Sequence, residues 1–410
     1  MKNVCLFLHI HQPMRLRHLP FSQIGSGTSY FDDELNEKII QRIAHQSYLP
    51  LNEMLLKLIR KYKGKFRICL SISGTALEQF NRHMPQVTDS FRMLSDTGCV
   101  EWIAQTYGHS FAAIKSRREF NMQVNRHSAV IDTLFGQHPV SFANTAFLYD
   151  DHVADMVHYL GFENILVDGH TSTLEWRSPH YRYTAGYHQH LGLLAEDRRL
   201  DSDIKQRFAD TNWKEWPLTV QKFASWIEAC PQEEQLVNLY LDYELFGEHY
   251  NEQTGIFDFL DDLPSAVFDQ GNRFLTPSET GDLLPAAGSL YKDEGSSQGS
   301  DLYNWLGNDM QQDAFNCLYN LEQKIRQVND PDIYRDWLYL QASDHFLYMQ
   351  THEGKNGHYY ANPYNNPFDA FINFMNVLTD LTQRIDNCIA KQQKAKKWKE
   401  ELIARTISLK

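Results

Sequence analysis

Asn3-Val4-Cys5-Leu6-Phe7-Leu8-His9-Ile10-His11-Gln12-Pro13 begins as an apolar run and breaks abruptly into polar side chains. A short apolar run closed by a proline predicts a buried β-strand over Asn3 to Ile10. Strand side chains alternate with period two, so His9 and His11 share a face and can reach the same ligand. Working outward, comparable runs recur at Phe66 to Ser71, Val100 to Ala104, Pro139 to Ala143, Ile165 to Val167, Leu191 to Ala195 and Leu236 to Leu241. Helical stretches separate them, among them Glu34 to Tyr62, Arg117 to Phe135, His152 to Tyr159 and Thr219 to Ala229. This alternation predicts an α/β fold of βα units on a mostly parallel sheet. Seven such strands suit a closed or nearly closed barrel better than a doubly wound sheet.

A chain of 410 residues is too long for one small core. The expected division is a barrel over 1–285, a Gly-, Ser- and Asp-rich loop over 286–308, and a helical bundle over 309–410. In the last part four helices are predicted: Asp309 to Gln327, Pro331 to Gln350, Phe368 to Asn387 and Ala390 to Ala404. Asp330 is the expected N-cap of the second, with Pro331 at its first turn. A formal charge of −13 argues against nucleic acid as a partner. The basic cluster Lys391, Lys394, Lys396, Lys397 and Lys399 alternates with apolar residues and reads as a solvated helix face. The six cysteines are scattered, with no C-x-x-C pair, so neither a zinc-finger nor a disulfide framework is legible. The apolar run after Lys2 is too short for a signal peptide, and no stretch has the length of a membrane span. A cytoplasmic protein is expected. No glycine-rich phosphate loop follows any strand, and no cofactor or bound metal is expected.

In an α/β barrel the catalytic side chains sit just past the C-terminal ends of the strands. Those ends carry His9, His11 and Gln12, then Gln105, Tyr107 and His109, then Asn144, Thr145 and Ala146, and finally Asp242, Tyr243, Glu244, Glu248 and His249. Each residue also has a packing explanation. His9 and His11 can be core histidines bonded to backbone, Asp242 can cap the helix that follows, and Asp344-His345 can serve capping or packing as readily as function. Polar side chains gathered on one rim are harder to explain that way. The 21 tyrosines and 8 tryptophans include flat faces suited to sugar rings, though most will be core residues.

These residues resemble glycoside hydrolase family 57, the α-amylase and 4-α-glucanotransferase family. His9-Ile10-His11-Gln12-Pro13 resembles its N-terminal signature, and Gly74-Thr75-Ala76-Leu77-Glu78 its second block. Val100 to Ser110, which includes Tyr107 and His109, is similar to the third block. Leu241-Asp242-Tyr243-Glu244-Leu245-Phe246-Gly247-Glu248-His249 resembles the block bearing the general acid, and Gln341-Ala342-Ser343-Asp344-His345-Phe346 the last. The resemblance implies a distorted (β/α)7 barrel followed by helices, acting on α-1,4-glucans with retention. It implies Asp242 as general acid/base, with His9, His11, Gln12, Glu78, Tyr107, His109, Asn144, Glu244, His249 and Asp344 bordering the glucan.

One position departs from the family. Active members carry the nucleophilic glutamate within N-T-E-L-x-Y, and this chain reads Asn144-Thr145-Ala146-Phe147-Leu148-Tyr149. Retaining hydrolysis needs two carboxyl groups roughly 5–5.5 Å apart. Loss of one member of such a unit costs roughly four to six orders of magnitude in rate. Asp150 and Asp151 follow closely, but Asp151 is expected to be the N-cap of the next helix. The first expectation is an α-glucan-site protein with little or no retaining activity. Two alternatives stand beside it. One is an inverting glycosidase pairing Asp242 with another carboxylate. The other is a metal-dependent deacetylase-like hydrolase with His9, His11 and Asp151 or His152 as ligands.

Overall fold

The computed structural model describes residues 1–293, 302–351 and 361–408. Ten strands form its sheet: β1 (Asn3–Ile10), β2 (Ile68–Ile72), β3 (Val100–Ala104), β4 (Ser141–Ala143), β5 (Asn164–Val167), β6 (Arg182–Ala185), β7 (Gly192–Ala195), β8 (Leu236–Asp242), β9 (Arg273–Phe274) and β10 (Ser289–Leu290). The order β7-β5-β4-β3-β2-β1-β8 is parallel throughout, and these are the seven strands expected from the sequence. Beyond them, β6 runs antiparallel to β7, β10 pairs with β6, and β9 adds to β1.

The curled sheet meets itself at a single isolated bridge, Glu196 to Asn238. Side chains reinforce that seam. Asn238 Nδ2 donates to the Ala195 carbonyl at 2.8 Å, and the Tyr240 hydroxyl donates to the Leu194 carbonyl at 2.6 Å. Backbone acceptors at the seam thus find partners although little ladder forms there. The fold is a distorted (β/α)7 barrel.

Period-two alternation sorts the strand residues into two cores. Cys5 and Phe7, Cys69, Ile103, Ala143, Leu166, Leu194, and Leu236 with Tyr240 fill the interior, so each of the seven parallel strands contributes. Val4, Leu6, Leu8 and Ile10 point the other way and pack with Ile68, Leu70, Val237, Leu239 and the surrounding helices. Under β3, Trp102 stacks on Phe135 with centroids 4.0 Å apart and planes 7° from parallel.

The expected single helix from Glu34 to Tyr62 contains a π-turn. Asp33–Ile43 and Leu49–Lys61 are α-helical, and Ala44–Tyr48 between them is π. The extra residue turns Ser47 and Tyr48 inward, where Ser47 Oγ donates to the Tyr243 carbonyl at 3.2 Å. Gly247 packs directly on this turn. It has φ of 102°, and a Cβ there would lie 1.9 Å from the Gln46 carbonyl oxygen, so only glycine fits.

The chain divides into two compact units. Met14–Asp33 belongs with the second unit, not with the barrel to which the sequence reading assigned it. The first unit holds Met1–Pro13 and Glu34–Leu302. In the second, the Leu19 amide donates to Asn373 Oδ1 at 2.8 Å and the Tyr30 hydroxyl to Asp380 Oδ2 at 2.5 Å, which ties the excursion to the long helix. That helix is Pro367–Ser408; the two helices expected there run together because neither glycine nor proline separates Asn387 from Ala390. The other two expected helices are each broken, into Asp309–Tyr319 with Glu322–Val328 and Pro331–Leu340 with Ser343–Leu347. Asp330 caps the third of these pieces through the amides of Asp332 and Ile333. Of the loop expected at 286–308, residues 294–301 lie outside the described residues; the remainder contains β10 and the short helix Tyr303–Leu306. No helix among the described residues is long and apolar enough to cross a membrane.

Leu194 lies at the seam and is fully buried. Leu194→Ala is expected to lower unfolding free energy by about 3 kcal/mol in urea titrations, the usual consequence of a cavity in a core with little freedom to collapse. A loss under about 1 kcal/mol would mean that the seam repacks.

Candidate functional site

Parallel pairing of β1 with β8 sets His9 opposite Asp242, and pairing with β2 sets it opposite Ser71. His9 shares the inward face with Cys5 and Phe7, and Asp242 shares it with Leu236 and Tyr240. His9 Nδ1 therefore comes to 3.8 Å from Asp242 Oδ1. On its other side, His9 Nε2 is 3.4 Å from Gln105 Oε1, which also lies 3.0 Å from His109 Nδ1. Gln105 Nε2 donates to Ser71 Oγ at 2.8 Å and so fixes the amide. The His109 ring sits between the other two histidines, 4.7 Å from His9 and 4.4 Å from His11 between centroids. Burial, with the charges of His11 and His9 adding to it, holds its pKa well below the ordinary histidine value. His109 is neutral at pH 7. His11 Nδ1 is 2.8 Å from Ser73 Oγ.

Burial would raise the Asp242 pKa, but His9, 3.8 Å away, and the charges of Lys205 and His249 outweigh it, and the net shift is downward. Lys205 is half-buried, which lowers its pKa, but Glu196, Asp201 and Asp242 raise it further and keep it charged. It lies 3.2 Å from Glu196 Oε1 and 3.8 Å from Asp201 Oδ2. Asp242 thus faces a cationic setting and stays ionised.

Glu244, two residues on, behaves in the opposite way. It is buried and accepts from the Tyr48 hydroxyl at 2.6 Å and from Gln12 Nε2 at 3.2 Å. Burial pushes its pKa up to about 7 against the pull of Tyr48, and the Asp242 charge adds to the rise. Glu78, Tyr107 and Arg126 form another group. Glu78 Oε1 accepts from the Tyr107 hydroxyl and lies 3.0 Å from Arg126 Nη2, while that guanidinium sits 3.8 Å above the Tyr107 ring.

The segment after β4 is strained. Ala146 and Phe147 have φ of 54° and 51°, and with His109 they are three of the six non-glycine residues with left-handed φ among the described residues. Such conformations cost energy and concentrate at functional sites. Asn144 stabilises the turn: its Oδ1 accepts from the Thr145 amide at 3.0 Å and its Nδ2 donates to the Leu148 carbonyl at 3.1 Å. Phe147 turns into the barrel, 4.9 Å from Tyr240 and 6.1 Å from Phe7 between ring centroids. The N-cap of the next helix is Asp150, which accepts from the Val153 amide, and not Asp151 as the sequence reading had it. Asp151 Oδ2 instead accepts from the Lys292 amide at 3.2 Å.

The barrel therefore brings His9, His11, Gln105, His109 and Asp242 together, with Gln12 and Glu244 joined behind them. His249 acts on Asp242 by its charge, and its amide donates to the Glu244 carbonyl. Asp344 is buried in the second unit, where its carbonyl accepts from the Tyr348 amide. Neither Asp151 nor His152 forms a metal-sized ligand cluster with His9 and His11 among the described residues, which removes the ligand set of the deacetylase-like alternative. Lys205, Tyr48 and the inward turn of Phe147 had no legible signal. Lys205 in particular lies in the charged run Arg198–Lys205, which reads as an exposed helix.

A parallel barrel with acid and histidine side chains on the C-terminal rim defines a class of hydrolase-like folds, and comparison narrows it. Residues 5–291 match the profile of Glycosyl hydrolase family 57. A protein of Methanocaldococcus jannaschii described as "Putative alpha-amylase" is 34% identical over 404 residues, covering 94% of this chain and 85% of its own. The chain belongs to glycosyl hydrolase family 57. Among solved structures, a family 57 branching enzyme from Thermococcus kodakaraensis, in complex with glucose and additives, aligns with a TM-score of 0.67 at 14% identity, covering 94% of each chain. A 4-alpha-glucanotransferase from Thermococcus litoralis aligns at 0.66 and 14% identity over 92% of this chain, which spans 59% of that protein's length. At these identities the structural likeness establishes the fold.

Two outcomes follow from the site. Ala146→Gly is expected to raise stability by about 1 kcal/mol, because glycine adopts the left-handed conformation without a Cβ penalty; a destabilised variant in urea titrations would show that the methyl group packs usefully. The folded protein holds the Glu244 proton more tightly than the unfolded chain, so between about pH 4.5 and pH 7 this group makes stability fall as pH rises. Glu244→Gln removes that slope, and its stability relative to the natural protein should be more favourable at pH 8 than at pH 5 by roughly 3 kcal/mol at most. Equal differences at the two pH values would mean that Glu244 titrates normally.

Proposed function

We propose that this chain offers an α-1,4-glucan site of family 57 type in which retaining hydrolysis is weak or absent, because Ala146 stands where the nucleophile belongs. The observation that carries this reading is the methyl group of Ala146 on the left-handed turn after β4 in a family 57 chain, and the setting of Asp242 agrees with it. A general acid must be protonated when it meets the leaving oxygen, and active sites achieve this by burial or by a neighbouring anion. Here His9, Lys205 and His249 outweigh burial and keep Asp242 ionised. The methyl of Ala146 supplies neither an attacking carboxylate nor an anion that would raise the acid's pKa. Phe147, turned into the barrel beside Tyr240 and Phe7, leaves an apolar ring next to that position.

Ligand recognition falls on the rim that remains: His9 and His109 beside Asp242, with His11 buried behind His109, and Glu78 held by Tyr107 and Arg126. The family, the relative described as a putative alpha-amylase and the 4-alpha-glucanotransferase of like fold support an α-glucan as the ligand. A cytoplasmic location belongs to the same reading, supported by the thiols of Cys5 and Cys69, which share a hydrogen bond at 3.5 Å in the barrel interior and form no disulfide. Nucleic acid and membrane are not among the proposed partners.

Ala146 already pays the left-handed backbone penalty, so glutamate can replace it without a new one. Ala146→Glu is expected to create slow cleavage of maltooligosaccharides with retained anomeric configuration, followed by NMR. Adding Asp242→Asn should abolish it. A folded but inert Ala146→Glu variant would contradict the view that the missing carboxylate is the principal defect.

A further inference from the structure

We infer that His180, Cys230 and Glu234 form a Zn2+ site apart from the glucan rim, with Asp197 orienting the histidine. One ligand atom from each of the three lies within 4.8 Å of the others, and among the described residues theirs is the group with this property. They come from distant parts of the chain. His180 precedes β6, whereas Cys230 and Glu234 sit on the turn Cys230-Pro231-Gln232-Glu233-Glu234 that leads into β8.

The turn is held in place before any ion arrives. Lys2 Nζ donates to the carbonyls of Cys230 at 2.8 Å, Pro231 and Glu234 at 2.7 Å, so Cys230 and Glu234 are presented together. Glu234 Oε2 lies 2.7 Å from His180 Nδ1, and Cys230 Sγ lies 4.0 Å from the other ring nitrogen. That same nitrogen, Nε2, is 2.7 Å from Asp197 Oδ2, which leaves Nδ1 as the histidine's ligand atom. A carboxylate behind a ligating histidine fixes its tautomer and orientation, which is the usual support of a zinc-bound imidazole. Asp197 is itself fixed, because its other oxygen accepts from the Leu200 amide at 3.0 Å as the N-cap of Arg198–Lys205.

Thiolate, imidazole and carboxylate together suit zinc better than calcium or magnesium, which prefer all-oxygen shells. Three protein ligands leave a fourth tetrahedral position for water. A cavity of about 240 Å³ lined by His180, Tyr181, Arg182, Glu233, Gln235 and Leu236 opens beside the histidine. Bound there, zinc would clamp the approach to β6 to the approach to β8.

The test uses the full chain, stripped with a chelator and titrated with Zn2+ alone against a chromophoric competitor. One equivalent should bind, and the melting temperature should rise with zinc as expected for an ion bound by the folded state. His180→Ala and Cys230→Ser should each weaken binding roughly tenfold or more, and Asp197→Asn by roughly 10–100-fold through the lost support. Cys317→Ser, at an exposed thiol in the second unit, should change nothing. Cobalt in place of zinc should give a thiolate charge-transfer absorption that Cys230→Ser removes; that conservative variant keeps the test valid if His180→Ala fails to fold. Absence of stoichiometric binding, or binding that survives Cys230→Ser and His180→Ala within about twofold, would overturn the site.

Discussion

The register of β1 against β8 is the constraint on which the site depends. In that register His9 and Asp242 are direct neighbours, and both point inward from the C-terminal ends of their strands. Slippage by one residue would send Asp242 outward and bring Leu241 in. The register is secured from both sides of the sheet. Leu6 and Leu8 pack outward with Leu239 and Leu241, while Phe7 meets the edge of Tyr240 inside the barrel at 5.6 Å. Apolar packing thus determines where the polar groups stand, and the π-turn and Gly247 add a close backbone contact beside them.

Around that register the two nearby carboxyls diverge. Asp242 meets His9 and Lys205 and stays charged, whereas Glu244, two residues away, is enclosed by Tyr48 and Gln12 and keeps a proton to about pH 7. Separation of this kind can define an acid and a base in an active site. Here the group that retains the proton is the buried one, with its hydrogen bonds directed at Tyr48 and Gln12. On the proposed reading, the barrel keeps the recognition surface of a glucan enzyme and lacks the paired carboxyls that cleave.

Much of this was legible in the sequence, for physical reasons. All seven parallel strands were readable because strands covered on both faces are near-continuous apolar runs. Their C-terminal ends pointed to His9, His11, Gln105, His109 and Asp242 because side-chain chemistry changes abruptly there. Short peripheral strands such as Arg273–Phe274 bury too little to leave a pattern. The π-turn at Ala44–Tyr48 has no glycine or proline to mark it, and the excursion Met14–Asp33 is held by isolated contacts such as Tyr30 with Asp380. Assigning the N-cap to Asp151 missed by one residue, since adjacent aspartates are equivalent in sequence and only geometry selects Asp150. Lys205 was hidden for a related reason: a half-buried lysine paired with Glu196 and Asp201 looks, in sequence, like any lysine on a charged helix.

The central claim is tested most directly by binding and cleavage measured together on the unmodified protein. Maltoheptaose would be titrated calorimetrically, and the same sample followed by NMR for new reducing ends and their anomeric form. The account predicts saturable binding, weakened by His9→Ala, with no appreciable cleavage over hours. Efficient turnover with retained configuration would contradict it.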